Sequence, residues 1–281
     1  MIRKPSGGAI ALAAPRGAIE DVGWSHDRVA CVVRGRARQE RMRSLRSVLA
    51  FARDLALPPR CAGCGAIVTG ADRFCADCWG SLSFVGPPWC AGCNLPFDHD
   101  RGAGALCASC IETPPRHSGV RAAVAYGAVA RTLALRLKYG GRTADARTAA
   151  RLMQRHVPAD ADLVVPVPLH WRRLWWRGYN QAGLIAGHIA RDTGIPLAVT
   201  LLRRPRATPV LRARSPRERR KAVRGAFAVC GDTARGRRIV LVDDVYTSGA
   251  TTDACVAALL RAGAARVTIL AWARVLHGEP D

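Results

Sequence analysis

The sequence predicts an α/β fold, a parallel sheet flanked by helices and preceded by a small cysteine-rich domain. Two observations predict it. After residue 119, short apolar runs suited to buried strands alternate with helical patterns. Before that point, eight of the eleven cysteines fall into four C-x-x-C pairs.

Composition bounds the rest. The chain has 281 residues, 49% of them hydrophobic and 23% charged, which excludes a wholly disordered protein. No apolar run reaches the roughly eighteen residues of a membrane span, and Arg53 and Asp54 interrupt the run at residues 48–57. The N-terminus lacks a compact apolar stretch with a cleavage site, so the expected location is cytoplasmic. Lys and Arg number 43 against 21 acids, a formal charge of +22, nearly all from arginine. Such a field favours polyanions: nucleic acid, phosphorylated metabolites or a membrane surface. An arginine- and alanine-rich genome produces the same bias, so charge alone does not choose a partner.

In chain order, residues 1–41 show no clear periodicity and read as a disordered extension. Met42 opens a more regular stretch, with a candidate helix over residues 43–57, and translation is expected to start near it. Residues 42–112 read as a double zinc ribbon. The pairs are Cys61/Cys64, Cys75/Cys78, Cys90/Cys93 and Cys107/Cys110. A C-x-x-C turn aims two thiolates at one point, two such turns complete a tetrahedral shell, and zinc is its usual occupant. Ten residues separate the first two pairs and thirteen the last two, gaps that suit short hairpins. A four-cysteine site is coordinatively closed, hence structural, and would supply most of this region's folding energy. Pairing first with second and third with fourth is the default; interleaved pairing or a single occupied site stays open. A disulfide framework lacks a secretory signal, and a redox centre needs one reactive pair rather than four. Cys31, Cys230 and Cys255 have no such spacing.

Residues 111–119 read as a linker and residues 120–275 as the α/β domain. Strands are expected at 120–126, 163–167, 238–242 and 266–272, and helices at 128–138, 144–155, 180–193 and 251–262. The sharpest signal is I-V-L-V-D-D-V-Y-T-S-G-A-T at 239–251. The apolar run buries a strand, and Asp243 and Asp244 stand at its carboxyl end, where open α/β sheets place ligands. Thr247, Ser248, Gly249, Ala250 and Thr251 form a hydroxyl-rich turn directly before a helix, whose free N–H groups suit a phosphate. Paired acids beside such a turn need donors, and vicinal ribose hydroxyls are donors. The plainer alternative is a capped helix after a strand.

This string resembles the type I phosphoribosyltransferase signature. More narrowly, residues 42–275 resemble the ComF family, named for competence for DNA uptake. The resemblance rests on the cysteine pairs, L-K-Y-G at 137–140, V-P-V-P-L-H at 165–170, R-G-Y-N-Q at 177–181 and the segment just described. It implies a type I phosphoribosyltransferase-like domain in which Asp243 and Asp244 hold ribose hydroxyls and residues 247–251 hold the 5-phosphate of phosphoribosyl pyrophosphate. Lys138, Tyr139 and Gly140 match a pyrophosphate-contacting loop, and magnesium arrives with the pyrophosphate. The residues agree with this: Gly140 and Gly141 permit close backbone approach to an anion and Lys138 adds charge, although a helix ending at glycine accounts for them equally well. Arg172, Arg173 and Arg177 suit phosphate clamping. Trp171, Trp175 and Trp176 read as sheet cover, a partner surface or nucleobase packing. Asn180 and Gln181 read alternatively as a helix cap.

Residues 203–224 carry ten basic residues against Glu218. This is a solvated hood or a nucleic-acid contact, and Pro205, Pro209 and Pro216 exclude one continuous helix. Leu211 and Ala222 stand where the family usually has Gln and Asn, whereas Gly225, Ala226 and Phe227 match. Two functions follow. One is a phosphoribosyltransferase, of the glycosyltransferase class, acting on an unidentified acceptor, with no residue nominated as general base. The other is a non-catalytic single-stranded DNA-binding accessory that couples the uptake machinery to competence proteins. Neither the acceptor nor the oligomeric state is legible.

Overall fold

The computed structural model describes residues 58–207 and 216–276. The expectations for residues 1–57, including the start at Met42 and the helix at 43–57, lie outside the described residues, as does Leu211.

The cysteine-rich segment is built from two tight turns, each closed by an isolated antiparallel bridge, Arg60 with Ile67 and Trp89 with Pro96. Each turn is followed by a five-residue helix, α1 (Ala76–Gly80) and α2 (Ala108–Glu112). These helices went unread in the sequence because one turn is too short to show a period.

The chain then alternates: β1 (Val120–Ala125), α3 (Ala128–Tyr139), α4 (Asp145–Met153), β2 (Leu163–Pro166), α5 (Trp171–Arg177), α6 (Gln181–Thr193), β3 (Leu202–Arg203), α7 (Pro216–Val223), β4 (Ala228–Val229), β5 (Arg238–Tyr246), α8 (Ala250–Arg261) and β6 (Arg266–Arg274). Four strands form an all-parallel sheet in the order β1-β6-β5-β2, and β3 pairs antiparallel with β4 beside it. Period-two alternation sends opposite strand residues to two cores. Ile239, Leu241 and Ile269 pack with Val256 and Leu259 of α8 on one face. Val240, Val242 and Leu270 pack with Leu133, Met153 and Ile185 from α3, α4 and α6 on the other. Helices therefore cover both faces, as the apolar runs require. Trp272 is fully buried in the second core, its indole N–H donating to the Ala130 carbonyl at 3.1 Å and its ring stacked on Phe74.

One strand boundary differs from expectation in a way that matters. β5 does not stop at Val242 but runs to Tyr246, because β6 continues alongside it and pairs Asp243 with Ala271, Val245 with Ala273 and Tyr246 with Arg274. The two acids thus sit within the ladder, not in a turn beyond it. Among the described residues no helix is long and apolar enough to cross a membrane.

Candidate functional site

The cysteines come together as two sites, Cys61, Cys64, Cys75 and Cys78 in one and Cys90, Cys93, Cys107 and Cys110 in the other. Pairing is sequential. Within each site all four sulfurs lie within 4.8 Å of one another, with Cys64–Cys75 and Cys93–Cys107 each 3.6 Å apart. A tetrahedron with metal–sulfur bonds of about 2.3 Å has edges of about 3.8 Å, so both sites fit zinc. The halves repeat one hydrogen-bond pattern. The Cys75 N–H donates to the Cys61 sulfur and the Cys107 N–H to the Cys90 sulfur, each at 3.3 Å. Burial works against a charged Cys61, yet N–H groups of Cys75, Cys64 and Gly63 outweigh it and bring the thiol down to about 6. Cys90 comes down to about 7 by the same opposition of burial and backbone donors. Their neighbours move the other way, burial and the adjoining sulfurs pushing Cys78 up to about 12 and raising Cys110 as well, so each shell would carry four thiolates only with a cation at its centre. None of the described cysteines is in a disulfide.

The second site lies where β5 meets α8. A pocket of about 70 Å³ opens there, lined by Asp243, Val245, Tyr246 and residues 247–252. Gly249 adopts φ +74°, and a Cβ at this position would lie 2.6 Å from the Tyr246 hydroxyl. Only glycine satisfies both the left-handed backbone and the close approach. Gly249 is the N-cap residue of α8, and its carbonyl accepts from the Asp253 N–H and the Thr252 hydroxyl. The N–H groups of the first turn have no partner within the helix, and with the hydroxyls of Thr247, Ser248 and Thr251 they make an anion-accepting mouth.

Asp243 and Asp244 take different roles because successive residues of a strand face opposite sides. Asp244 meets Lys138, at the end of α3, with Nζ 2.7 Å from Oδ2. Burial opposes the charge on Lys138, but Asp244 offsets it and holds the ammonium above its ordinary range. Burial likewise opposes an ionised Asp244, and Lys138 reverses that, keeping the carboxyl below its ordinary range. For Asp243, burial and then the Asp244 charge push the carboxyl up to about 8. At neutral pH the pair therefore carries one negative charge, on Asp244.

The remaining expected residues cluster with one another at the end of α3, next to Lys138. Tyr139, exposed, stacks under the Arg177 guanidinium with 5.5 Å from Cζ to ring centroid, and Arg177 also donates to the Gln181 amide oxygen. Tyr179 ties the same region down, its hydroxyl donating to the Leu137 carbonyl at 2.8 Å. Gly140 ends α3, and Asn180 caps α6 by accepting from the Ala182 N–H. The tryptophans do not cover the sheet: Trp171, Trp175 and Trp176 are 61%, 84% and 73% exposed on α5. Sequence reasoning missed Tyr246, which floors the loop and stood inside the motif, and Arg274, which no motif marked.

A family model described as "Double zinc ribbon domain" matches residues 52–113. Competence protein F of Haemophilus influenzae is 28% identical over 220 residues, covering 71% of this chain and 96% of that protein. DNA utilization protein YhgH of Escherichia coli K12 is 31% identical over 195 residues, covering 66% of this chain and 84% of that protein. The chain belongs to the ComF family. The ComF-family α/β domain has the phosphoribosyltransferase-like arrangement that the motif implied, with the acids and the loop at the carboxyl end of a central parallel strand. Among solved structures, glutamine phosphoribosylpyrophosphate amidotransferase from B. subtilis, complexed with ADP and GMP, shares 26% identity over 48% of this chain and 30% of that one, with a TM-score of 0.34.

Proposed function

We propose that this ComF-family protein binds phosphoribosyl pyrophosphate, or a related ribose 5-phosphate ligand, at the loop of residues 247–251, and that it acts in the cytoplasm in competence or DNA utilisation. The observation that carries this reading is the left-handed Gly249 seated on the Tyr246 hydroxyl, which fixes the hydroxyl-rich turn at the start of α8 where the first-turn N–H groups meet the pocket. The mouth holds the 5-phosphate, and Asp243 and Asp244 accept from the ribose hydroxyls. Lys138, Tyr139, Gly140 and Arg177 face the pyrophosphate, whose charge brings magnesium. Lys138 is paired with Asp244, so a bound pyrophosphate competes with that carboxylate for the ammonium. Transfer to an acceptor proceeds by positioning and charge neutralisation as magnesium pyrophosphate departs, leaving cationic character at the anomeric carbon.

A second reading is favoured by α5. Its three exposed tryptophans alternate with Arg172, Arg173 and Arg177, a composition that suits base stacking and phosphate contact on single-stranded DNA. In that reading the loop is a regulatory ligand site and proteins of the DNA-uptake machinery are the partners.

Calorimetry on zinc-loaded protein separates the two. Phosphoribosyl pyrophosphate with magnesium is expected to give saturable heat at one site, weakened about tenfold in Thr247→Ala, where one charge-assisted hydrogen bond is lost. Thr247 is exposed, so the variant keeps its fold. No heat with the activated sugar, together with salt-sensitive binding of an oligothymidylate, overturns the first reading in favour of the second.

A further inference from the structure

The second cysteine site and the phosphate loop are joined by a buried arginine that neither the family motif nor the ligand reading uses. Arg274, the last residue of β6, is only 4% exposed. Its Nη2 lies 3.5 Å from the Cys93 sulfur, and its guanidinium carbon sits 5.6 Å from the centroid of the Tyr246 ring. Its Nε and Nη1 are buried without a hydrogen-bond partner. The Tyr246 hydroxyl in turn sits directly under the left-handed Gly249. Contact is therefore continuous from a metal-ligating sulfur, through a cation and an aromatic ring, to the loop backbone.

The backbone doubles this connection. Arg274 pairs with Tyr246 in the sheet, and the Val275 N–H donates to the Tyr246 carbonyl at 3.0 Å. The second ribbon is anchored to β1 by Asn94, whose amide oxygen accepts from the Ala122 N–H at 2.7 Å. A further strap runs from the segment after Cys110. There His117 Nε2 lies 3.9 Å from an Asp253 carboxylate oxygen, and the Asp253 N–H bonds the Gly249 carbonyl. The first cysteine site connects elsewhere, to α3, through Arg136 and the Ala62 carbonyl at 3.0 Å.

We propose that Arg274 is a positioning residue that couples metal in the Cys90–Cys93–Cys107–Cys110 site to the conformation of the phosphate loop. A divalent ion held by four thiolates carries net negative charge, and a buried guanidinium is its natural counterion in a low dielectric. With the metal in place, Arg274 is fixed between Cys93 and Tyr246, and Tyr246 props the left-handed glycine. Without the metal, a buried cation already short of partners leaves its position, and the loop loses its floor. The phosphate site then depends on the second ribbon but not on the first. The inference rests on the proposed ligand reading only where ligand affinity is concerned.

The test compares full-length, zinc-loaded wild type with Arg274→Gln, Arg274→Lys and Arg136→Gln. Zinc transfer to a chromophoric chelator, ligand-free hydrogen exchange by mass spectrometry and calorimetry with ribose 5-phosphate are read on each. In Arg274→Gln one of the two metal ions is expected to leave about tenfold faster, as when a partner of a ligating group is removed. Amides of residues 243–253 should exchange severalfold faster while those of residues 61–78 stay unchanged. Arg274→Lys, which keeps the charge, should recover part of the metal retention, and Arg136→Gln should leave the loop unmoved. Loop exchange equal to wild type in folded Arg274→Gln overturns the coupling. If that variant does not fold, Arg274→Lys and wild type stripped of its more labile ion are read by the same criterion. Wild type that takes up no ribose 5-phosphate but shows the exchange pattern removes the ligand reading and leaves the coupling standing. Ligand binding with an unmoved loop does the reverse.

Discussion

The cysteine segment and the sheet domain solve the same problem with different physics. Around the second cysteine site the buried cluster is Cys90, Cys107 and Cys110, with Leu95, Phe97 and Leu106 only partly covered. Ile67, Trp79 and Ile111 are left largely exposed on the same segment. The sheet domain instead removes Trp272, Leu133, Leu137, Met153 and Ile185 from water completely. One region has too little apolar surface to fold without a metal, and the other needs none. Ligand position in the first is set by bonds of fixed length, and in the second by packing.

The largest expected effect breaks the first region and spares the second. Structural zinc contributes on the order of 10 kcal/mol or more to such small domains. Complete chelation should therefore bring amides of residues 60–112 to exchange rates of an unfolded chain, while residues 238–242 of β5 and 266–272 of β6 stay protected. Hydrogen exchange resolves both segments in one experiment. A cysteine segment that keeps its protection without metal would show that its thin apolar cluster suffices, and the contrast would dissolve.

The converse experiment cuts into the packed region. Trp272→Ala removes the largest fully buried side chain, a stacking partner of Phe74 and a hydrogen bond to Ala130. A loss of about 3–5 kcal/mol is expected in denaturant titration. Zinc content should remain unchanged, because the thiolate shells do not contain this residue. Loss of both metal ions along with stability would mean that the two regions fold as one unit.

The same contrast explains what the sequence made legible. Metal ligands are local: two residues between cysteines and a short hairpin between pairs specify a site, so all eight ligands could be read directly, whereas the sequential pairing was a default that the structure decided. The strand–acid–loop string was equally local, and the loop sits where that string places it. What escaped was long-range or compositionally plain. β5 was expected to end at Val242 because its apolar run stops at two consecutive acids, whereas a neighbouring strand of equal length carries the ladder through them. α5 was not read as a helix because its seven residues, W-R-R-L-W-W-R, are too few to show a period, and nearly all of it is exposed. Arg274 was invisible because its partners, Cys93 and Tyr246, lie far off in sequence.

The smallest expected effect sharpens the comparison inside the site itself, between two adjacent acids. Asp243 is pushed up to about 8 in the folded chain, from an ordinary 3.8, by burial and by the Asp244 charge. Across that interval the folded state holds a proton that the unfolded chain has released. Stability must then fall as pH rises from about 4 to about 8, with the loss complete above the folded value. Asp243→Asn is neutral at every pH and removes this slope. Its denaturation midpoint should therefore gain on wild type steadily between about pH 5 and about pH 8. Asp244→Asn should do the opposite. Asp244 is held below its ordinary range because Lys138 offsets its burial, so the substitution strands a buried ammonium and destabilises the chain throughout the neutral range. If both variants moved the midpoint in the same direction at every pH, the acids would share their charge equally. The division of labour between a protonated Asp243 and an ion-paired Asp244 would then be lost.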